Sequence, residues 1–548
     1  MNTPRFLNPR RACSCGCCSS IAATRANPAW RQSPPLAPAT SGTDAFNLSR
    51  RHFIHGMGAL AALSVTLPSI AATQSREWGS LKARQPLQVK PLKVQPVLTY
   101  DVPQRREATS WRNWGGIQTD AQAQEEQARI TSELKQMSGK AGFPLEIRPV
   151  LLVKNVEPAA NLAKGDHDVM LIYAAGGGLN VLETLTRKDK WNLMFLRHLP
   201  GPAYLWYEIV HPRFLRKTVD QYGQPGMDVH DVVTDSYDEM RWRLQALQGL
   251  HSTHGKRLIC LGGAAGWGEG GQKAPQIARD LWKLDLVDYP YKDFEPRLAA
   301  AYKDSALVAH CEKASAAYLG EAGVKLETTR QFVANAFVLR EVFLDVMEEH
   351  QTDAFTVNNC MGTIMGMSKT TACLTLSLLN DDGYLLFCES DLVVIPSGIL
   401  LHYISGKPVF LNDPTTPHDG MVTLAHCTAP RRMDGQRLEQ ARILTHFESD
   451  YGAAPKVEMK LGQITTNLVP DFDCKQWVGF AGTIVGNPFL DICRSQIDVR
   501  VEGNGQKLLE EMKGFHWMLS YGDYLKESGY ALKKLGVDFL NVSAPKVA

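Results

Sequence analysis

Three short, largely apolar runs in the second half of this 548-residue chain each lead directly into a side chain that binds metals or transfers protons. The runs and the residues that follow them are 384–388 with Glu389, 407–412 with Asp413, and 421–425 with His426. Runs of this length and composition are typical of buried β-strands. In open α/β sheets, ligands bind beyond the carboxyl ends of the strands. The pattern therefore predicts an α/β protein in which these groups meet around a divalent cation, and a further histidine, His516, could complete the site.

The first 72 residues have the organisation of an export signal. A twin-arginine motif at 49–55 is followed by an apolar stretch at 56–68 and by small residues suited to cleavage at 69–72. The alternative is a chance arginine pair beside a buried helix, but the three features occur in the order of a signal. We therefore predict export to the periplasm by the twin-arginine translocation machinery.

Charge and cysteine distribution argue against nucleic-acid binding and against a disulfide framework. The formal net charge is +2 at pH 7, and no basic block or acidic tail occurs, so nothing indicates nucleic-acid binding. Four of the 12 cysteines lie in the leader, where a structured cluster could bind metal. The others are scattered without CxxC pairs, which is typical of small buried hydrophobic residues rather than of a disulfide framework.

Alternating strand and helix patterns predict two Rossmann-like parallel α/β domains followed by a β-rich C-terminal domain. In the first domain, strands are predicted at 94–100, 145–154, 169–174 and 191–199, with a helix at 119–138. Pro96 favours an edge position for the first of these strands. In the second, starting near Asp228, a helix is predicted at 237–250, a strand at 257–261 and a helix at 276–286. The predicted boundaries are 1–72 for the signal and leader, 73–210, 211–403 and 404–548.

The glycine-rich segment 262–271 follows one of these strands and has two interpretations. It could cradle a phosphate at a helix N-terminus. It lacks both the Lys-Ser/Thr of a P-loop and regular GxGxxG spacing, so a tight strand-to-helix connection is favoured.

Several segments resemble the L-fucose/L-arabinose isomerase superfamily. They are 373–383, 388–391, 406–413, 424–427, 445–449, 497–503 and 514–523. The resemblance extends from about residue 255 to the end, and the motifs are specific as an ordered set rather than singly. It implies a fucose isomerase-like fold and a homo-oligomer, trimeric or hexameric.

The resemblance also implies a divalent cation, most often Mn²⁺, held by Glu389, Asp413 and His516. His426 matches a further metal histidine of the arabinose-type members. Three residues of the same motif segments are assigned to substrate binding: Asp391, His446 and Glu448. Phe515 stands where the family often has Asn, so substrate contacts there are expected to differ. Taken alone, Cys427 is interpreted as a packing residue.

The chemistry fits these residues independently of the resemblance. Interconversion of an aldose and a ketose moves a proton between adjacent carbons through an enediol, which requires a base and positive charge near the sugar oxygens. We predict that Glu389 is a metal ligand and the base, that Asp413 is a ligand and second acid–base group, and that the substrate is a monosaccharide. One alternative is a sugar epimerase or sugar-acid lyase at the same metal site. Another is a non-catalytic periplasmic carbohydrate-binding protein, against which the presence of both carboxylates argues.

Overall fold

The computed structural model describes residues 84–543 except residues 114, 205–214 and 216–225. The predicted export signal and the leader cysteines lie outside the described residues. The strands are β1 (Leu92–Thr99), β2 (Leu145–Ile147), β3 (Leu151–Val153), β4 (Val169–Ala174), β5 (Trp191–Leu196), β6 (Val232–Thr234), β7 (Arg257–Leu261), β8 (Asp285–Tyr289), β9 (Val324–Leu326), β10 (Ala354–Val357), β11 (Leu385–Cys388), β12 (Phe410–Pro414), β13 (Met421–His426), β14 (Gln440–His446), β15 (Tyr451–Glu458), β16 (Ile464–Val469), β17 (Gln476–Gly486), β18 (Ser495–Val501), β19 (Trp517–Tyr521) and β20 (Asp538–Asn541).

The α-helices of the described residues connect these strands. They are α1 (Asp120–Ser138), α2 (Val156–Ala163), α3 (Gly178–Leu185), α4 (Tyr237–Thr253), α5 (Ala274–Asp280), α6 (Tyr291–Lys303), α7 (Ser305–Leu319), α8 (Arg330–Glu349), α9 (Met365–Ser368), α10 (Ala372–Asp381), α11 (Ile395–Ser405), α12 (Gly505–Glu511) and α13 (Leu525–Lys534). Within the described part of the chain, no helix is both long and apolar enough to cross a bilayer.

The first sheet is wholly parallel and has the order β2-β1-β4-β5-β6, with β3 also paired to β1. The edge position predicted for the first strand is wrong, because β1 lies between β4 on one side and β2 and β3 on the other. Pro96 is tolerated because the partner changes there: β2 pairs up to Val94 and β3 from Val97. This gap interrupts the ladder, and the single strand predicted at 145–154 is divided at the same place.

The second sheet is also parallel and has the order β11-β10-β7-β8. Two expectations need correction. The predicted boundary between residues 210 and 211 falls inside the first sheet, since β6 pairs with β5. The helix predicted at 276–286 ends at Asp280 in the structure, and Lys283, with a φ of 56°, turns the chain into the unpredicted strand β8.

Six C-terminal strands close into an antiparallel barrel in the order β16-β19-β12-β13-β18-β17, and β17 pairs back onto β16. β20 adds to β17 in parallel, and β15-β14-β9 form a separate small sheet. The predicted layout, parallel α/β sheets followed by a β-rich region, is confirmed at this level. One buried apolar cluster contains both Phe355 and Leu386 of the second sheet and Phe410 and Trp517 of the barrel. The carboxyl end of β11 therefore packs against the barrel.

Candidate metal centre

Glu389 follows the last residue of β11 in an unusual backbone turn. Its φ is 64° and that of Ser390 is 49°, so two consecutive non-glycine residues lie in the left-handed region. A non-glycine residue in this region lowers the stability of the fold by about 1–3 kcal/mol, so surrounding contacts must hold it there. The Ser390 amide donates to the Thr356 hydroxyl at 3.1 Å, and Ser390 is fully buried. The turn ends the strand and brings the Glu389 carboxylate to the barrel.

Three neighbouring barrel strands supply the other groups. Asp413 lies in β12, His426 ends β13, and His516 immediately precedes β19. Asp413 is paired with Ala425, and Asn412 is paired with Trp517. Because β19, β12 and β13 are adjacent, these registers place the three side chains at one rim of the barrel, although they are far apart in sequence.

The four predicted ligands converge. The Nε2 atom of His516 lies 3.3 Å from Asp413 Oδ1 and 3.5 Å from Glu389 Oε2. The Nε2 atom of His426 lies 3.9 Å from Glu389 Oε1. Glu389, His426 and His516 each offer one ligand atom within 4.8 Å of the others, and Asp413 joins them through its contact with His516. The structure thus brings together the residues that the sequence analysis assigned to metal binding.

Asp391 holds His516 in place from behind. Its Oδ2 atom lies 2.7 Å from His516 Nδ1, and its Oδ1 accepts hydrogen bonds from the amides of Trp267 and Val393, each at 3.1 Å. Asp391 is only 2% exposed. A substrate contact, as predicted for Asp391, would have to displace one of these hydrogen bonds. The position of Asp391 is instead that of the carboxylate that orients a metal-binding imidazole and fixes its tautomer.

Burial and charge set the protonation of the site in the absence of a cation. Burial raises the pKa of the Asp413 carboxyl to about 7, against the opposing charge of His516. Burial lowers the pKa of His426 to about 4, so this ring is neutral. Burial also opposes a charge on His516, but the hydrogen bond to Asp391 and the negative charges of Asp413 and Glu389 raise its pKa well above the usual value. A cation binding at Nε2 would therefore displace a proton.

Unsatisfied polar atoms show that the site suits a cation. Asp413 Oδ1 and His516 Nε2 are buried and, among the described residues, have no hydrogen-bond partner. Buried polar atoms are normally satisfied, and in the metal-free protein these two face each other at 3.3 Å as an ion pair of protonated His516 with Asp413. A divalent cation between them would satisfy both. Carboxylate and imidazole donors without a thiolate suit Mn²⁺ or Mg²⁺.

The other two residues predicted to bind substrate, Glu448 and His446, lie in different surroundings. Glu448 is exposed and close enough to Asp413 for its charge to raise the pKa of that carboxyl. His446 is 3% exposed and lies in a separate group with Cys427 and Cys493.

An aromatic pair beside the centre was not predicted. Phe515 stacks on Trp267 with ring centroids 3.9 Å apart and planes at 7°, and its edge meets the His516 ring at 4.7 Å. Trp267 belongs to the glycine-rich segment 262–271, whose backbone binds Asp391. Within the segment, the backbones of Gly266 and Gly271 approach so closely that a Cβ at Gly266 would lie 2.1 Å from the Gly271 carbonyl oxygen. The one available signal for the pair was an aromatic residue, Phe515, next to the predicted ligand His516.

A scan of the sequence against protein-family models finds no match, and a comparison with curated proteins finds no relative.

Proposed function

We propose that this protein is a divalent-metal-dependent aldose–ketose isomerase that acts on a monosaccharide. One observation supports the proposal: the Nε2 atom of His516 lies 3.5 Å from a carboxylate oxygen of Glu389 and 3.3 Å from one of Asp413, although the three residues come from distant segments. The resemblance of the C-terminal motifs to the L-fucose/L-arabinose isomerase superfamily supports a sugar substrate and a fucose isomerase-like fold.

Glu389, Asp413 and His516 would hold the cation, Mn²⁺ by preference, and His426 is placed to join them. When bound, the cation would supply the positive charge that stabilises negative charge developing on the sugar oxygens. Asp391 keeps His516 in the orientation that leaves Nε2 facing the centre.

Glu389 is the base in this proposal. Its carboxylate takes the proton from C2 of the aldose, and returning that proton to C1 of the enediol yields the ketose. Asp413 is the more accessible of the two carboxylates, with 29% of its side chain exposed against 11% for Glu389. It is therefore placed to exchange protons with the hydroxyl and carbonyl oxygens.

The test is to incubate the purified protein with Mn²⁺ and a panel of aldoses in D₂O and to follow products by NMR. We expect a ketose product and deuterium at C2 of the recovered aldose. Glu389→Gln should abolish exchange, whereas Glu439→Gln, a matched change at a partly buried glutamate outside the centre, should retain it.

Other outcomes would overturn the proposal. Inversion at a carbon without ketose would identify an epimerase, and loss of water from a sugar acid would identify a lyase. Saturable sugar binding without exchange would identify a binding protein. Undiminished exchange in Glu389→Gln would remove Glu389 as the base.

A further inference from the structure

A second cluster of metal-binding side chains lies next to the centre just described. Cys427, His446 and Cys493 each offer one ligand atom, and these three atoms lie within 4.8 Å of one another. A further thiol, that of Cys373, is within hydrogen-bonding reach of the Cys427 sulfur, as is that of Cys493. All of these cysteines are free thiols in the structure.

Four separate segments build this cluster. Cys373 is the second residue of α10, Cys427 directly follows β13, His446 ends β14, and Cys493 lies in the loop 487–494 before β18. Cys373, Cys427 and His446 are 5%, 2% and 3% exposed and Cys493 is partly buried, so the group is largely enclosed by protein. Convergence of two thiols and an imidazole from distant positions, with a third thiol beside Cys427, goes beyond the packing role expected for Cys427 alone.

The hydrogen bonds around the cluster suit metal ligands. The Ser449 hydroxyl lies 3.3 Å from His446 Nδ1, an arrangement that orients an imidazole to bind metal through Nε2. The Arg494 amide donates to the Cys427 sulfur at 3.4 Å, and a metal-bound thiolate could accept the same hydrogen bond. Both contacts come from outside the donor set and hold its members in position.

The donor set selects the class of cation. Thiolates with one imidazole prefer Zn²⁺-like ions in tetrahedral coordination, with Zn–S of about 2.3 Å and Zn–N of about 2.0–2.1 Å. Those bonds place neighbouring ligand atoms roughly 3.5–3.8 Å apart. The present spacing, within 4.8 Å, needs only a small contraction of side chains.

We propose that Cys427, His446 and Cys493, with Cys373 as the fourth ligand, form a structural site for a thiolate-preferring divalent cation of the Zn²⁺ class. The site would tie α10, β13, β14 and the 487–494 loop together. His426 precedes Cys427 in the chain, so a cation here would also fix the rim that carries His426. Binding at this cluster does not depend on whether the neighbouring centre isomerises sugars.

The test uses Co²⁺ as a spectroscopic substitute for Zn²⁺ in the reduced, metal-depleted full chain. We expect an intense sulfur-to-cobalt absorption band whose intensity corresponds to one thiolate-bound cobalt per chain and which disappears when Zn²⁺ is added. Cys427→Ser and Cys493→Ser should lose the band. Cys311→Ser, a matched change at a buried cysteine outside the cluster, should keep it. Glu389→Gln should also keep it, which separates this site from the isomerase centre.

A measurement on the unaltered chain covers the possibility that the serine variants do not fold. Saturating Zn²⁺ should protect Cys427 and Cys493 from alkylation at least tenfold relative to the metal-free protein, as mapped by mass spectrometry, and should leave Cys474 unprotected. The proposal is overturned if the reduced protein shows no thiolate band, if the band survives both serine variants, or if Zn²⁺ protects neither cysteine.

Discussion

Asp391 Oδ2 lies 2.7 Å from His516 Nδ1, although 125 positions separate the two residues in the chain. The carboxylate sits just past β11 and the imidazole just before β19, so this hydrogen bond joins the second parallel sheet to the barrel. The amides of Trp267 and Val393 hold the other oxygen of Asp391. The His516 ring is therefore fixed from behind, and its Nε2 has a single direction in which to bind a cation.

Asp391→Asn should weaken Mn²⁺ binding without removing a proposed ligand. Loss of the charge behind an imidazole ligand typically lowers metal affinity about 10–100-fold. Titration of free Mn²⁺ by electron paramagnetic resonance measures the change. Asp434→Asn is the control, because Asp434 also accepts two backbone hydrogen bonds but lies outside the centre. Equal affinity in Asp391→Asn and the wild type would show that this carboxylate does not orient a ligand.

The site illustrates what local sequence can and cannot predict. Glu389, Asp413 and His426 could be selected because each ends an apolar run, and His516 because of its motif. No local pattern indicates that an oxygen of Asp391 faces His516, since that contact depends on how the sheet packs against the barrel. The cluster around Cys427 escaped prediction for the same reason: its members come from four segments without metal-ligand spacing.

The fold, like the site, could be predicted from local sequence only in part. The long amphipathic helix α1 begins one residue after its predicted start because Thr119 caps it, its hydroxyl accepting from the Gln122 amide. The position of β1 depends on which strands flank it, and the two short partners that accommodate Pro96 are not visible in β1 itself. The three-residue strand β6 is too short to show a periodicity in the sequence. Its pairing with β5 in the first sheet depends on tertiary structure.

The Trp267–Phe515 stack should contribute coupling energy to stability. Aromatic pairs add about 0.5–1.5 kcal/mol beyond their buried area. A double-mutant cycle with Trp267→Leu and Phe515→Leu, measured by urea unfolding, should show coupling in this range. Phe489→Leu with Trp267→Leu should be additive, since the Phe489 ring contacts Arg442 and Arg494. Additivity of the first pair would mean that the stack contributes nothing beyond burial.

Glu439 should make stability depend on pH. Burial raises the pKa of its carboxyl to about 7 from an ordinary value of 4.5. Between these pH values the folded protein retains a proton that the unfolded chain has released, so stability falls as pH rises through this window. Oε1 accepts from the Tyr521 hydroxyl and the Lys460 amide, and glutamine can keep both hydrogen bonds.

Glu439→Gln should therefore remove this pH dependence. The unfolding free energy of the variant, relative to wild type, should increase from pH 4.5 to pH 8 by at most on the order of 3 kcal/mol. Urea unfolding at several pH values measures it, with Glu510→Gln at an exposed position as the control. A constant difference across this range would contradict the raised pKa.

The predicted export signal can be tested separately from the fold. Replacing Arg50 and Arg51 by lysine should block translocation, because the paired arginines define the motif. Cell fractionation with immunodetection should then find the variant protein in the cytoplasm and the wild type in the periplasm. Periplasmic accumulation of the double-lysine variant would exclude the twin-arginine route.

The convergence of Glu389, Asp413 and His516 on one cation is tested most directly by anomalous diffraction from crystals grown with Mn²⁺. We expect one anomalous peak within about 2.0–2.3 Å of Glu389 Oε2, Asp413 Oδ1 and His516 Nε2, and its loss in Glu389→Gln crystals. A crystal structure in which these three side chains diverge, or in which manganese binds elsewhere, would contradict the account.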